Sequence, residues 1–182
     1  MALRVISGLR KGHKLRGPID SRARPTEDRI KESLFNIIQP IEEDAVCLDL
    51  FAATGNIGIE FLSRGAKKVY FSEKDSSNVK DLKWNLDHTK LADKAEILDF
   101  DYKKNILTIK ENIDYVYIDP PYESDYYIES LKLMLDRKYF KDALFILESN
   151  NDYDYSKDIK ELNLVYEKKY GKKCLKFYRM EV

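Results

Sequence analysis

Apolar positions along the 182-residue chain fall into two alternating rhythms. Ile30, Leu34, Ile37 and Ile38 recur at spacings that put them on one face of a helix, and Pro40 ends that pattern. Thr26 is a natural N-cap for it, with Glu27 and Asp28 placing negative charge in the first turn. Short runs at 46–50, 68–72, 95–98, 115–118 and 143–147 read as strands, 46–50 and 115–118 as buried ones. Between and after them, 56–64 (closed by Gly65), 76–88 and 128–135 read as helices. The segments 162–170 and 174–180 flank Gly171-Lys172 as a hairpin, and 4–8 and 13–15 form a smaller one around Gly12. Strand–helix alternation predicts an α/β fold, with a mostly parallel sheet covered by helices and an antiparallel C-terminal hairpin at its edge. No internal repeat and no long linker divides the chain. One domain, 1–182, is expected, with 1–24 as an N-terminal β-hairpin extension of a 25–182 core.

Composition supports a folded domain, with 43% hydrophobic and 12% aromatic residues. The 32 basic and 32 acidic side chains cancel, but unevenly. Residues 1–24 hold seven basic side chains, Arg10, Lys11 and Arg24 among them, against one acid, and 166–182 hold six against two. Basic ends on an acidic body suit either a polyanion-binding face or two solvated surface segments. Cys47 and Cys174 form no CxxC pair, and His13 and His88 lie far apart, so no metal site is expected. No apolar run approaches a membrane span or a signal segment, and a soluble, cytoplasmic protein is expected.

Two motifs carry candidate chemistry. In Leu48-Asp49-Leu50-Phe51-Ala52-Ala53-Thr54-Gly55-Asn56-Ile57-Gly58 a strand enters a tight turn of small residues and then a helix, which lets a ligand approach the backbone. Ala53 takes the first glycine position of a dinucleotide loop and no Walker lysine follows, so phosphate cradling is disfavoured. Glu73 ends the next strand, eighteen residues after Gly55, where an acid accepts hydrogen bonds from ribose hydroxyls. Asp101 follows the third strand and is placed to meet an adenine amino group, with Asp99 as a close competitor.

The second motif is Asp119-Pro120-Pro121-Tyr122, set at the end of the strand 115–118. The two prolines fix the loop and leave its carbonyls free as acceptors. Asp119 can accept a hydrogen bond from an amine, and Tyr122 can stack on an unstacked base. Such a group orients an exocyclic amine towards an electrophilic methyl group that its own leaving group has already activated.

These residues resemble the RsmD-type family of bacterial 16S rRNA guanine-N2 methyltransferases. The likeness includes Arg4-Val5-Ile6-Ser7-Gly8, Lys11-Gly12-His13-Lys14-Leu15 and the distinctive helix opening from Arg24-Pro25-Thr26 to Asn36. It implies a Rossmann-like class I methyltransferase fold with a seven-stranded sheet, S-adenosylmethionine as cofactor, and small-subunit ribosomal RNA, in a subunit or assembly intermediate, as partner. It implies a cofactor site at Asp49, Phe51, Ala52, Thr54, Gly55, Asn56, Gly58 and Glu73, and catalysis at Asp119, Pro120, Pro121 and Tyr122. Arg24 and Thr26 are implied to border the same pocket, and the basic hairpin with Arg10 and Lys11 to contact RNA. The family usually has glycine where this chain has Ala53; an alanine there is strained if the site needs a positive φ. DNA adenine-N6 or cytosine-N4 methylation, methylation of a protein glutamine, and a non-catalytic RNA-binding module remain as alternatives.

Overall fold

The structure is a computed structural model that describes residues 3–17, 25–121, 125–150 and 153–181, with the side chains of 25–27 outside the description. Helix α1 (Pro25–Ile38) precedes β1 (Val46–Asp49), α2 (Asn56–Ser63), β2 (Lys68–Ser72) and α3 (Ser76–Thr89). The chain continues through β3 (Ala95–Leu98), α4 (Tyr102–Thr108), β4 (Tyr115–Ile118), α5 (Tyr126–Leu135) and β5 (Leu144–Ser149), and closes with β6 (Leu162–Tyr170) and β7 (Lys173–Met180).

All seven strands join one sheet in the order β3-β2-β1-β4-β5-β7-β6. β1 to β5 run parallel, whereas β7 is antiparallel to both β5 and β6. β1 and β4 are buried at every position, as strands covered on both faces must be. One face packs Phe35, Phe61, Leu82 and Leu86 from α1 to α3 against Cys47, Phe71, Tyr117 and Phe177. The other packs Ile106, Leu131 and Met134 from α4 and α5 against Leu48, Val116, Phe145 and Leu147. The strand order reverses between β1 and β4, so the helices that follow them leave to opposite faces and a crevice opens at the carboxyl ends of those two strands.

The structure differs from the sequence reading at five points. Helix α1 begins at Pro25, so Thr26 lies inside the helix instead of capping it; a proline at the first helical position needs no N–H partner. The α4 helix has no counterpart in the sequence reading. The helix expected at 128–135 starts at Tyr126, and β5 runs two residues further than expected, to Ser149. The N-terminal hairpin is reduced to a single antiparallel bridge, Arg4 with Lys14, because a 3-10 turn over Gly8–Arg10 occupies its tip.

That N-terminal segment is docked into the body. Leu3, Val5 and Leu15 are buried in the core. The buried Glu60 accepts the Ile6 and Ser7 N–H groups at 2.9 and 3.0 Å, and Asn85 exchanges two hydrogen bonds with the Arg16 backbone. Gly8 lies so close to the end of α2 that an added Cβ would sit 1.9 Å from the Ser63 carbonyl oxygen.

Candidate functional site

The small-residue loop after β1 is held by two acids. Asp49, the last residue of β1, is buried and accepts the Gly58 N–H at 2.9 Å. Burial pushes its carboxyl up to about 7; Glu73 adds to the rise and the Gly58 N–H opposes it. Glu73, just past β2, accepts the Ala53 N–H at 2.9 Å on one carboxylate oxygen and the Asp75 N–H at 2.7 Å on the other. Each oxygen keeps a second lone-pair direction for a ligand hydroxyl. Gly58 permits the close fit of α2 on β2, since a Cβ there would meet the Phe71 ring at 2.2 Å. Gly55 caps α2 in a left-handed conformation, and the buried Thr54 offers its carbonyl to Asn85.

Ala53 adopts φ 46°, a left-handed conformation that costs an L-residue roughly 1–2 kcal/mol. Glycine relieves that strain and returns about 0.5–1 kcal/mol as unfolded-state entropy. Ala53→Gly is therefore expected to raise stability by about 0.5–1 kcal/mol in a urea titration. A lower midpoint in the variant would show that the loop carries no strain at this residue.

Three cavities open along the crevice. The first, of about 470 Å³, is lined by Phe51, Ala53, Glu73, Asp75, Asn78, Phe100, Tyr102 and Tyr126. Its volume lies in the range of about 300–1,000 Å³ usual for small-molecule sites. The Phe51 and Tyr126 rings stack with centroids 6.0 Å apart, and the half-exposed Phe100 stands at the rim. An aromatic, apolar chamber with an acid on its floor suits a nucleoside. The second cavity, about 210 Å³, is lined by Asp49, Ala52, Thr54, Asn56, Lys31, Glu148 and Lys173 among others. The third, about 250 Å³, lies beyond Pro120 and Pro121. Asp119 borders all three.

Asp49, Phe51, Ala52, Ala53, Thr54, Asn56, Glu73, Asp119, Pro120 and Pro121 all line the crevice. Gly55 and Gly58 shape it from beneath. Asp101 does not join them. Its carboxylate caps α4 by accepting the Lys103 N–H at 3.0 Å, and neither it nor Asp99 lines any of these three cavities. Arg10 and Lys11 are also elsewhere. Arg10 donates its backbone N–H to Ser63, the last residue of α2, and its guanidinium reaches the Lys90 carbonyl after α3. Helices that follow parallel strands run back towards the strands' amino ends, so this turn sits at the edge of the sheet opposite the crevice. Arg24 and Tyr122 lie outside the described residues, as does the side chain of Thr26.

Sequence reasoning missed Lys31, Glu148 and Lys173. Lys31 is 1% exposed; its ammonium donates to the Arg4 carbonyl at 2.6 Å and to Asn56 Oδ1 at 2.8 Å, and pairs with Glu60 at 3.4 Å. Burial lowers its pKa, against the pull of Glu60. Glu148 follows the apolar run 143–147 much as Asp119 follows 115–118, and that shared placement was the available signal. Among the described residues no group of three or more His, Cys, Asp or Glu side chains could hold a metal ion, and no helix is long and apolar enough to cross a membrane.

A family profile described as conserved hypothetical protein 95 matches residues 3–179, nearly the whole chain. The chain belongs to this family, the RsmD family. Its relatives include a protein of Haemophilus influenzae named ribosomal RNA small subunit methyltransferase D, 36% identical over 155 residues that cover 82% of this chain and 80% of the relative. The protein of that name from Escherichia coli K12 is 32% identical over 180 residues, covering 98% and 90%. The solved structure of yhhF from Escherichia coli matches with a TM-score of 0.84 at 29% identity, over 100% of this chain and 99% of that one. The RsmD fold seen here is that of the class I methyltransferases, with its seven strands and antiparallel C-terminal pair.

Proposed function

We propose that this chain transfers the methyl group of S-adenosylmethionine to the exocyclic N2 of a guanine in small-subunit ribosomal RNA. The substrate class is taken from the relatives named ribosomal RNA small subunit methyltransferase D. The chemistry rests on one observation: Asp119 stands at the junction of a nucleoside-sized chamber and two smaller ones. A cofactor carrying adenosine at one end and an amino acid at the other fits the larger chamber and the chamber beside Asp49. A planar base fits the third, and the reacting atoms then meet at Asp119.

The donor set matches such a cofactor. Glu73 would accept the ribose hydroxyls, and the Phe51–Tyr126 stack and Phe100 would wall the adenine. Asp49, a buried carboxylate that accepts the Gly58 N–H, would pair with the cofactor's ammonium. When bound, S-adenosylmethionine supplies a methyl group already activated by its sulfonium. The chain's part is to hold the amine in line and to exclude water. Asp119 and the carbonyls of the proline loop accept the amine's hydrogens, which draws its lone pair out of conjugation with the ring. These hydrogen bonds strengthen as positive charge grows on nitrogen, so they favour the transition state over the ground state. No histidine base takes part: His13 packs edge-on against His88, which stacks on Trp84, away from the crevice.

The position of Asp49 carries a pH dependence. Its folded-state carboxyl lies above the ordinary aspartate range, so the free protein loses stability as pH rises through about 7 and the buried group ionises. Only the ionised form pairs with an ammonium. Cofactor affinity is therefore expected to rise by about tenfold between pH 6 and pH 8 in calorimetric titrations, and Asp49→Asn to lose that dependence. An affinity that is flat with pH in the unsubstituted protein would remove Asp49 from the ammonium site.

The functional reading is tested by offering methyl-labelled S-adenosylmethionine with three acceptors: small subunits from cells lacking the enzyme, naked small-subunit rRNA, and duplex DNA. Label is expected in the ribosomal samples. Label in DNA alone would transfer the assignment to the DNA amino-methyltransferases.

A further inference from the structure

The carboxyl ends of β4 and β5 and the amino end of β7 bring three polar side chains to the same wall. Ile118 pairs with Leu147 in parallel register, so Asp119 and Glu148 are the next residues on neighbouring strands. β7 pairs Leu175 with Glu148, and Lys173, two residues earlier, points to the same face. The ammonium of Lys173 donates to Glu148 Oε1, and the Tyr117 hydroxyl donates to Oε2. Glu148 is 7% exposed, and both it and Lys173 line the two smaller cavities that Asp119 borders. The fold thus fixes a buried, charge-paired carboxylate where no step of methyl transfer requires one. Each of its oxygens retains an acceptor direction for a ligand.

We propose that the Glu148–Lys173 pair selects the base, with Glu148 accepting the N1–H of guanine and Lys173 donating to its O6 while N2 lies at Asp119. This rests on the guanine-N2 reading above. Across the sheet the order is Asp119 on the β4 loop, Glu148 on β5 and Lys173 on β7: acceptor, acceptor, donor. Along guanine's edge the order is N2 amine, N1–H and O6 carbonyl: donor, donor, acceptor. The two sequences are complementary. Adenine at N1 and cytosine at N3 carry a lone pair where guanine has its N1–H. Either base would set that lone pair against the Glu148 carboxylate and leave a buried acceptor unsatisfied.

The test uses small subunits reconstituted with guanine or with 2-aminopurine at the nucleotide that the unsubstituted enzyme methylates. 2-Aminopurine keeps the reactive amine but has a lone pair at N1 and no O6. The unsubstituted enzyme is expected to favour guanine by about 100-fold or more in kcat/KM. Glu148→Gln can turn its amide N–H towards the N1 lone pair, and Lys173→Met costs guanine a donor that 2-aminopurine never used. Each variant is therefore expected to lower the preference by about tenfold or more. Parallel losses on both substrates, with the preference unchanged in both variants, would overturn the proposal and leave the pair a structural role. Failure of the unsubstituted enzyme to form N2-methylguanosine in guanine subunits would overturn the guanine reading itself, whatever the variants do.

Discussion

With Asp119 replaced by alanine, the protein is expected to bind S-adenosylmethionine within about twofold of the unsubstituted chain yet transfer methyl about 100- to 1,000-fold more slowly. The separation follows from where the side chain sits. Asp119 is exposed to the crevice and lies after the end of β4, outside both hydrophobic clusters, so its loss leaves the sheet intact. The groups assigned to the cofactor, Asp49 and Glu73, are held by backbone N–H groups of other segments. What alanine removes is the acceptor that follows the amine as it turns positive, a contribution of the size measured for single preorganised hydrogen-bonding groups. Asp119→Asn keeps an acceptor oxygen without the charge and is expected to fall between. Initial rates at saturating cofactor, beside a binding isotherm, separate the two effects. A rate within tenfold of normal would take Asp119 out of the transition state.

The second large effect is on stability. Replacing Glu60 by alanine is expected to cost about 3–5 kcal/mol, read as a shift of the urea midpoint. Glu60 is fully buried and gathers four partners: the Ile6 and Ser7 N–H groups, Arg64 Nε at 2.8 Å and the Lys31 ammonium at 3.4 Å. Without its carboxylate, a buried ammonium loses its counter-charge and two backbone donors lose their acceptor. Removing one partner of a buried charge cluster is far more costly than exchanging the whole cluster for apolar groups. The local consequence is release of the N-terminal segment, whose Leu3 lines the cavity beside Asp49. Cofactor affinity is therefore expected to fall with stability, and the Ile6 and Ser7 amides to exchange with solvent well before the sheet does. A loss below about 1 kcal/mol would mean that solvent reaches the cluster.

Most strands were readable in the sequence because parallel strands covered on both faces are continuous apolar runs, as β1 and β4 are; the edge strand β3 is only partly buried. The loop after β1, Glu73 and Asp119 were readable because their spacing from strand ends is set by local geometry. What failed was more distant or more ambiguous. Helix α4 spans two turns and buries only Tyr102, Asn105 and Ile106, too few positions to establish a period. Its start gives Asp101 a second role: an acid after a strand serves a ligand or a helix cap equally well, and here one carboxylate oxygen caps. Lys31 and Glu60 occur in charged or mixed helical stretches that read as solvated faces; only tertiary packing pairs them. The count of basic residues at the C-terminus overstated its charged surface, since Lys176 is buried and Lys173 turns into the crevice. Arg10 shows the same limit at the other end, its turn docked at the sheet's far edge.

The central claim is that this crevice delivers a methyl group to the N2 amine of guanine. The most direct measurement is digestion of small-subunit RNA labelled by the purified enzyme, followed by chromatography of the nucleosides. The account predicts that the label elutes as N2-methylguanosine. Label recovered as N6-methyladenosine or N4-methylcytidine would contradict it.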